Sequence, residues 1–255
     1  MTVGGFIEKR PQLMESAMRQ KDLLTMIRTI IFPLILVLAI FSTGCRKSAD
    51  AARLELAQKN IPFTEAAFID AARQGDTSAL ALFLEAGMSA ETKTYDGQPA
   101  LSVAALSNQA EALELLLKKG ADPNARDKYR GTALMNASWK GNSQIVNALL
   151  AAGSDPNAQA ANGMTALMFA SWDDHAGVVK ALLEKGADPG IRDEGGWTAL
   201  MRAVFKGNTN AAKALLERGA EVSAEGNDQN TPLKIAEDRH LPEIVELLKN
   251  AGATK

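Results

Sequence analysis

Apolar pairs recur at a constant interval through the second part of this chain. Their spacing of i, i+1, i+4 and i+5 lies on one face of an α-helix. The pattern therefore predicts an amphipathic helix in every 33-residue unit, preceded by an alanine-rich helix around Ala137, Ala170 and Ala203. Two successive sets of apolar pairs are Ile145, Val146, Leu149 and Leu150, and Val178, Val179, Leu182 and Leu183.

Glycine and threonine keep the same interval of 33 residues. The glycines are Gly87, Gly120, Gly153, Gly186, Gly219 and Gly252. The threonines, each followed by an apolar pair that ends in leucine, are Thr132, Thr165, Thr198 and Thr231. A unit of this length cannot bury its own apolar face and must stack on neighbouring units. The sequence therefore predicts a solenoid rather than one globular core.

These units resemble the ankyrin repeat. Thr132-Ala133-Leu134 and Asp155-Pro156-Asn157 stand where that family has Thr-Pro-Leu and Asp-Pro-Asn, and the match recurs in successive copies. The resemblance implies an all-α fold, an ankyrin-repeat solenoid of stacked helix-turn-helix units joined by β-hairpin loops. The ankyrin-repeat domain at 61–255 would hold about six repeats, at 61–93, 94–126, 127–159, 160–192, 193–225 and 226–255.

The recurring residues have expected local roles. Threonine hydroxyls suit the start of the first helix of each unit, and the glycines should end the second helices in the left-handed conformation. Arg130 and Gln229 stand where the family has a loop glycine. The residues expected to cap the second helices are Asp76, Asn142, His175 and Asn208. The methionines that replace the family histidine, expected in the core, are Met135, Met168 and Met201.

The beginning of the chain has a different pattern. Residues 30–41 are an apolar run of 12, preceded by Lys21 and Arg28 and followed by small residues. This arrangement is typical of a secretory signal peptide, since a helix that spans a bilayer needs about 20 residues. We therefore predict a signal peptide over residues 1–44. Its true start is left open among Met1 and the internal candidates Met14, Met18 and Met26.

Cys45 is the only cysteine in the chain and directly follows the predicted leader. It resembles the processing site of bacterial lipoproteins, at which the signal is cut before a cysteine that becomes lipid-modified, although Ser42 stands where leucine is usual. By the same resemblance, Arg46 favours the outer over the inner membrane. We expect a lipid anchor on the periplasmic side of the cell envelope, with an uncleaved signal anchor, or neither, as alternatives. Residues 45–60 are polar and helix-favouring, and are expected to form a tether.

Composition favours a binding protein over an enzyme. Removing the five basic and three acidic residues of the leader leaves 23 basic and 27 acidic side chains, so no basic stripe predicts nucleic-acid binding. His175 and His240 lack the spacing of metal ligands, and neither a phosphate-binding glycine loop nor a nucleophile motif is present. We expect no catalysis, metal or cofactor. Asp173 and Asp174, beside His175, are expected at a turn as capping and solvated residues.

Aromatic residues form a further series. Trp139, Trp172 and Phe205 are spaced by 33 residues, at a position that faces the concave groove in the ankyrin family. Large, stiff aromatic side chains with a polar rim form protein-binding hot spots, whereas the alternative is that these rings only pack on neighbouring repeats. The residues expected to contact a partner are Tyr95, Leu106, Tyr129, Trp139, Lys140, Met164, Trp172, Asp173, Trp197, Phe205 and Lys206.

The combined prediction is an exported, membrane-tethered module that holds a partner protein in its concave groove. It would act as an adaptor or accessory factor of the cell envelope. The alternative is an inhibitor or immunity protein that occludes a periplasmic toxin or enzyme.

Overall fold

The structure is a computed structural model that describes residues 48–254. The predicted signal peptide and Cys45 therefore lie outside the described residues. Residues 53–254 belong to one compact unit, and the described residues 48–52 belong to another. Within the larger unit, the described chain contains no strand, only one isolated antiparallel bridge between Lys93 and Pro99.

Across the described residues of the larger unit, six helix pairs follow one another, which confirms the prediction of an all-α solenoid. In each pair the first helix is followed by a short turn and an antiparallel second helix. The helices are α1 (Glu65–Gln74), α2 (Thr77–Glu85), α3 (Ala100–Leu106), α4 (Ala110–Lys118), α5 (Ala133–Lys140), α6 (Ser143–Ala151), α7 (Ala166–Trp172), α8 (Ala176–Glu184), α9 (Ala199–Lys206), α10 (Thr209–Glu217), α11 (Pro232–Asp238) and α12 (Pro242–Asn250).

Threonine side chains begin the first helices as expected. The hydroxyl oxygen of Thr132 accepts a hydrogen bond from the Met135 N–H at 3.3 Å, which satisfies one of the backbone donors that a helix start leaves unpaired. Pro99 replaces the threonine at α3 and makes no such bond. The other first helices that begin on a threonine hydroxyl are α1, α7, α9 and α11, with Thr64, Thr165, Thr198 and Thr231.

The prediction that four polar residues cap their own second helices is only half right. Asp76 and Asn142 do accept from the N–H groups of Ala79 and Ile145, at 2.9 and 3.1 Å. The side chains of His175 and Asn208 make no cap bond to their own helices.

His175 and Asn208 instead reach back to the preceding repeat. The His175 Nε2 lies 3.0 Å from the carbonyl oxygen of Trp139, and the Asn208 Nδ2 donates to that of Trp172 at 2.7 Å. The last carbonyls of a helix have no partner within it, so these side chains satisfy the ends of α5 and α7. The two residues therefore join adjacent repeats rather than start helices.

The six recurring glycines confirm the predicted left-handed helix ends. Their φ angles are all positive, from 81° at Gly219 to 97° at Gly252. A Cβ atom added at any of the six would meet no other atom within 4 Å. Space does not require glycine there, so the backbone conformation alone does, at a cost of about 1 kcal/mol for other residues.

A second left-handed position lies at the tip of each connecting loop. Arg130 adopts a φ of 61° there, in register with Gly97, Gly163 and Gly196. We expect Arg130→Gly to raise the free energy of unfolding by about 0.5–1 kcal/mol, because the left-handed conformation disfavours a Cβ. Urea denaturation followed by circular dichroism measures this change. The reciprocal Gly163→Ala should lower the free energy of unfolding, since its Cβ would lie 2.8 Å from the Asp193 Cα. A destabilising Arg130→Gly or a stabilising Gly163→Ala would contradict this account.

The helix pairs stack in two rows. The first helices α1, α3, α5, α7, α9 and α11 form one row, and the second helices form the other. Small side chains at Ala137, Ala170 and Ala203 are fully buried and let neighbouring helices approach closely, as predicted. The methionines expected in the core, Met135, Met168 and Met201, are buried.

Asparagines of the Asp-Pro-Asn turns join successive repeats. The Asn124 Nδ2 donates to the carbonyl oxygen of Gly153 at 3.1 Å, and its Oδ1 accepts from the Asp155 N–H at 2.8 Å. Asn157 makes the same two bonds one repeat later, to Gly186 and Asp188. The turn residues therefore satisfy the glycine-ended helix of the next repeat as well as reversing the chain.

Residues ahead of the first repeat pack on its open end. Residues 53–58 are helical, and Leu56 is completely buried. The Arg53 guanidinium donates to the Ala86 carbonyl at 3.2 Å and lies 4.9 Å from the centre of the Phe63 ring, which stacks on Phe83. The compact unit thus includes Arg53, whereas the sequence interpretation assigned all of 45–60 to a polar tether and began the domain at residue 61.

Candidate functional site

The exposed side of the first helices and the adjacent loop tips form one surface, here called the groove. The last turns of the first helices α3, α5, α7 and α9 contribute one equivalent residue each to this surface: Leu106, Trp139, Trp172 and Phe205. Trp139 is 43% exposed, and the other three side chains are half-buried. The rings are therefore not sealed inside the stack, although they also contact one another.

Three aromatic residues meet in what we call the aromatic cluster. Trp172 and Phe205 stack with ring centres 6.0 Å apart and planes inclined by 23°. Trp197, from the loop tip before α9, meets Phe205 edge-on at 5.3 Å. Offset and edge-on pairs of this kind are favourable beyond the area they bury, so the cluster is held in place by its own contacts.

Arg202 organises the aromatic cluster, and the sequence interpretation did not include it. Its guanidinium carbon lies 5.0 Å from the centre of the Trp197 ring and 5.6 Å from that of Trp172. Its Nε donates to the Asp193 carboxylate at 2.7 Å. A signal was available in the sequence, because Arg202 stands in register with Phe169 one repeat earlier and with Asn136 two repeats earlier.

Asp193 anchors both Arg202 and the loop tip. The Asp193 side chain is only 1% exposed, against 23% for that of Arg202. Its Oδ1 accepts from the N–H groups of Gly195 and Trp197 at 2.9 and 3.0 Å. One buried carboxylate thus fixes the backbone that carries Trp197 and the cation that lies between the two indoles.

Other cations cover the remaining rings of the groove. The Lys206 ammonium lies 4.9 Å from the centre of the Trp172 ring, and the Arg239 guanidinium carbon lies 4.6 Å from that of Phe205. Lys140 takes the same position over Trp139, at 4.5 Å. Cation–π contacts at exposed positions contribute about 0.5–1 kcal/mol each. The groove therefore alternates aromatic rings with positive charges.

A cavity of about 330 Å³ opens between α5 and α7. Two of the predicted partner-binding residues, Tyr129 and Trp139, line it together with Phe169 and Asn136, which the sequence interpretation missed. Its lining is mostly apolar, so it suits a large apolar side chain of a partner. Leu106 and Met164 are half-buried elsewhere on the groove, and Asp173 is exposed.

A second cavity, of about 500 Å³, lies at the α1 end of the groove. Tyr95 lines it and is fully exposed, so it does not join the other aromatic rings. The Thr94 hydroxyl donates to Asp96, and this hydrogen bond holds the pKa of the Asp96 carboxyl below its usual value. The carboxylate therefore stays ionised at this end of the groove.

The loop tip at Asp228 also holds Trp197. Burial acts to raise the pKa of Asp228 and is the largest single influence on it, but hydrogen bonds from Asn230 and Trp197 together bring the pKa below its usual value. The indole is thus held between its own repeat and the next.

Asp174, which the sequence analysis expected at a turn, has structural contacts. Asp174 accepts from the Ala211 N–H at 2.8 Å and from Asn210 Nδ2 at 2.9 Å, which links its turn to the start of α10. Within residues 48–254, no group of three or more His, Cys, Asp or Glu side chains is placed to hold a metal ion. None of the helices in the same range has the length and apolarity needed to cross a membrane.

Comparison with known proteins identifies the repeat. The chain matches the family described as "Ankyrin repeats (3 copies)" over residues 36–127, 68–160, 134–225 and 188–255. It is similar to the crystal structure of an ankyrin repeat domain from Acinetobacter baumannii AYE, with 30% identity and a TM-score of 0.69. That similarity covers 75% of this chain and 100% of the solved one. No curated protein matches the sequence. The chain is a member of the ankyrin-repeat family and carries a protein-interaction fold.

Proposed function

We propose that this chain is an exported, membrane-tethered module that captures a partner protein of the cell envelope in its groove. The observation that carries the proposal is the half-exposed aromatic cluster of Trp172, Trp197 and Phe205, held in place by Arg202. Binding, rather than catalysis, is the proposed role of this site.

The cluster has the properties of a binding hot spot. Indole and phenyl rings bring large contact areas, and rings that are already positioned lose little conformational freedom when a partner arrives. The neighbouring cavity of about 330 Å³ between Tyr129 and Trp139 offers a second place for an apolar side chain. Binding energy is therefore expected to concentrate on α5, α7 and α9.

Trp172→Ala tests this role directly. We expect the variant to bind the partner about 30-fold more weakly, which corresponds to about 2 kcal/mol, because the central ring of the cluster is lost. The partner is recovered by affinity purification from envelope fractions and titrated calorimetrically against the full chain.

The matched control is Phe63→Ala, which removes an aromatic ring that packs on Phe83 outside the groove. This control should retain wild-type affinity, and circular dichroism should show the same helical signal in both variants. Equal affinities of wild type and Trp172→Ala would contradict the groove as the binding surface.

Export and tethering are inferred from the sequence ahead of the repeats. The basic residues, the apolar run at 30–41 and the small residues before Cys45 together support a lipoprotein-type leader. Several acyl chains on one cysteine would hold the protein on a membrane, since each buried methylene contributes about 0.8 kcal/mol. Arg46 after the cysteine supports the outer membrane, on the periplasmic side.

Cys45→Ser tests the anchor. We expect the variant to lose incorporation of a labelled fatty acid, because the thiol is the only one available for acylation. Ser48→Ala, three residues later, is the control and should remain labelled. A wild-type chain that incorporates no labelled fatty acid and keeps its leader would support a signal anchor instead.

A further inference from the structure

We propose that the occupant of the groove over α7, α9 and α11 is an acidic protein segment, with Asp or Glu side chains that meet Arg202, Lys206 and Arg239. This inference rests on the proposed function and adds the chemistry of the partner. The observation behind it is that each ring of the aromatic cluster carries a cation of this chain on its face.

The charges that lie over the rings of the aromatic cluster are positive. Lys206 and Arg239 are exposed and lie over Trp172 and Phe205. The Arg202–Asp193 pair is asymmetric, because its carboxylate is 1% exposed and its guanidinium 23%. The end of that pair that a partner meets is therefore the positive one.

Several of the acidic side chains near this surface are already engaged. Asp173, directly after α7, and Asp238, on α11, are exposed, while Asp174 is bound to the start of α10. Glu237 pairs with Lys249 at 3.5 Å. Glu194 and Asp228 lie at the loop tips rather than on the helices, and Asp228 accepts a hydrogen bond from Asn230 there.

Arg202 has the geometry to bind a carboxylate. Its Nε and one terminal nitrogen point to Asp193, and a guanidinium has further N–H donors on its remaining edge. A guanidinium whose position is already fixed by other contacts loses little freedom when it binds a carboxylate. A partner carboxylate at this edge would complete the coordination of Arg202.

Protein fits this surface better than single-stranded nucleic acid, which also combines negative charge with affinity for aromatic rings. Bases bind by stacking on open ring faces. Here the faces of Trp172 and Phe205 are covered by Lys206 and Arg239. Carboxylates approach such cations from outside without displacing them.

Selection from a random-peptide display library tests the inference. The immobilised full-length chain serves as bait, and the composition of the enriched peptides is the first readout. We expect enrichment in Asp and Glu relative to the unselected library. The affinity of these peptides should fall as salt is raised, since screening weakens attraction between exposed charges.

Charge reversal supplies the second readout. In the Lys206→Glu/Arg239→Glu variant, the affinity of the enriched acidic peptides should fall by about tenfold or more. Lys213→Glu makes the same type of change on the exposed part of α10, outside the groove, and should leave binding unchanged. Circular dichroism must show that each variant keeps the helical signal of the wild type.

The possible outcomes separate this inference from the proposed function. Neutral or basic peptides that lose binding on Trp172→Ala would overturn the acidic partner and leave the protein-binding role intact. Peptides that bind the Trp172→Ala variant as tightly as the wild type would overturn the protein-binding role of the groove. Acidic peptides that bind the reversed variant as well as the wild type would overturn the inference, as would tighter binding of a single-stranded thymidine oligonucleotide.

Discussion

Replacing Leu149 with alanine is expected to lower the free energy of unfolding by about 2–5 kcal/mol. Leu149 lies in α6, in the third of the six helix pairs, and is completely buried. The lost free energy has two parts: the hydrophobic transfer free energy of the removed methyl and methylene groups, and the cost of the cavity that they leave. Close packing allows the neighbours of Leu149 to fill only part of that cavity.

The position of Leu149 adds a second effect. α6 contacts α4, α5 and α8, so each helix pair is supported only by itself and its neighbours. In such a stack, stability is a sum of repeat and interface terms. A weakened interior repeat uncouples the two ends, and we expect the single denaturation transition to broaden or divide.

Urea denaturation followed by circular dichroism measures both effects. Leu54→Ala is the matched control, because Leu54 is 60% exposed and its truncation leaves no buried cavity. We expect the control to change stability by less than about 0.5 kcal/mol. Similar losses for the two variants would contradict the burial of Leu149 in the stack.

Asp193→Ala is expected to cost about 2–3 kcal/mol. The change leaves the N–H groups of Gly195 and Trp197 without their acceptor and removes the carboxylate paired with Arg202. The expected loss of unfolding free energy is smaller than for a fully buried ion pair, because the Arg202 side chain is 23% exposed and water can reach it.

This variant should also disturb the groove. Trp197 loses the hydrogen bond that positions its backbone, and Arg202 is no longer held between the indoles, so we expect tryptophan fluorescence to shift. Asp127→Ala is the matched comparison, since Asp127 accepts from Tyr129 and Gly131 N–H groups at 2.8 and 2.7 Å in the equivalent loop. Asp127 has no arginine within the described residues that forms an ion pair with it. Equal losses of stability in the two variants would show that Arg202 contributes nothing.

The candidate site was only partly predictable from the sequence. Trp139, Trp172 and Phe205 were found because their interval matched the repeat, and they do share the groove. Arg202 and Phe169 follow the same interval but differ in residue type from one repeat to the next, so no single chemical pattern marked them. Trp197 was predicted on the same surface, but its contact with Phe205 depends on how far the loop tip leans over α9.

His175 and Asn208 show why some local predictions were wrong. Both occupy the position before a second helix, where a polar side chain commonly binds the N–H groups of its own helix. In the folded stack each side chain has a competing acceptor, the unpaired carbonyl at the end of the preceding first helix. Sequence alone does not decide between a donor in the residue's own helix and an acceptor in another repeat.

The sequence by itself determined the stacked-repeat architecture. Its interval of 33 residues sets where each helix begins, where each glycine must turn the chain, and which apolar faces have to be covered. These properties are local or repeat exactly one unit away, so they can be read along the chain. Tertiary structure alone decided which side chains join neighbouring repeats and how Asp193, Arg202 and the aromatic rings form one cluster. Those contacts depend on distances and directions across the stack, where several polar partners compete for the same groups.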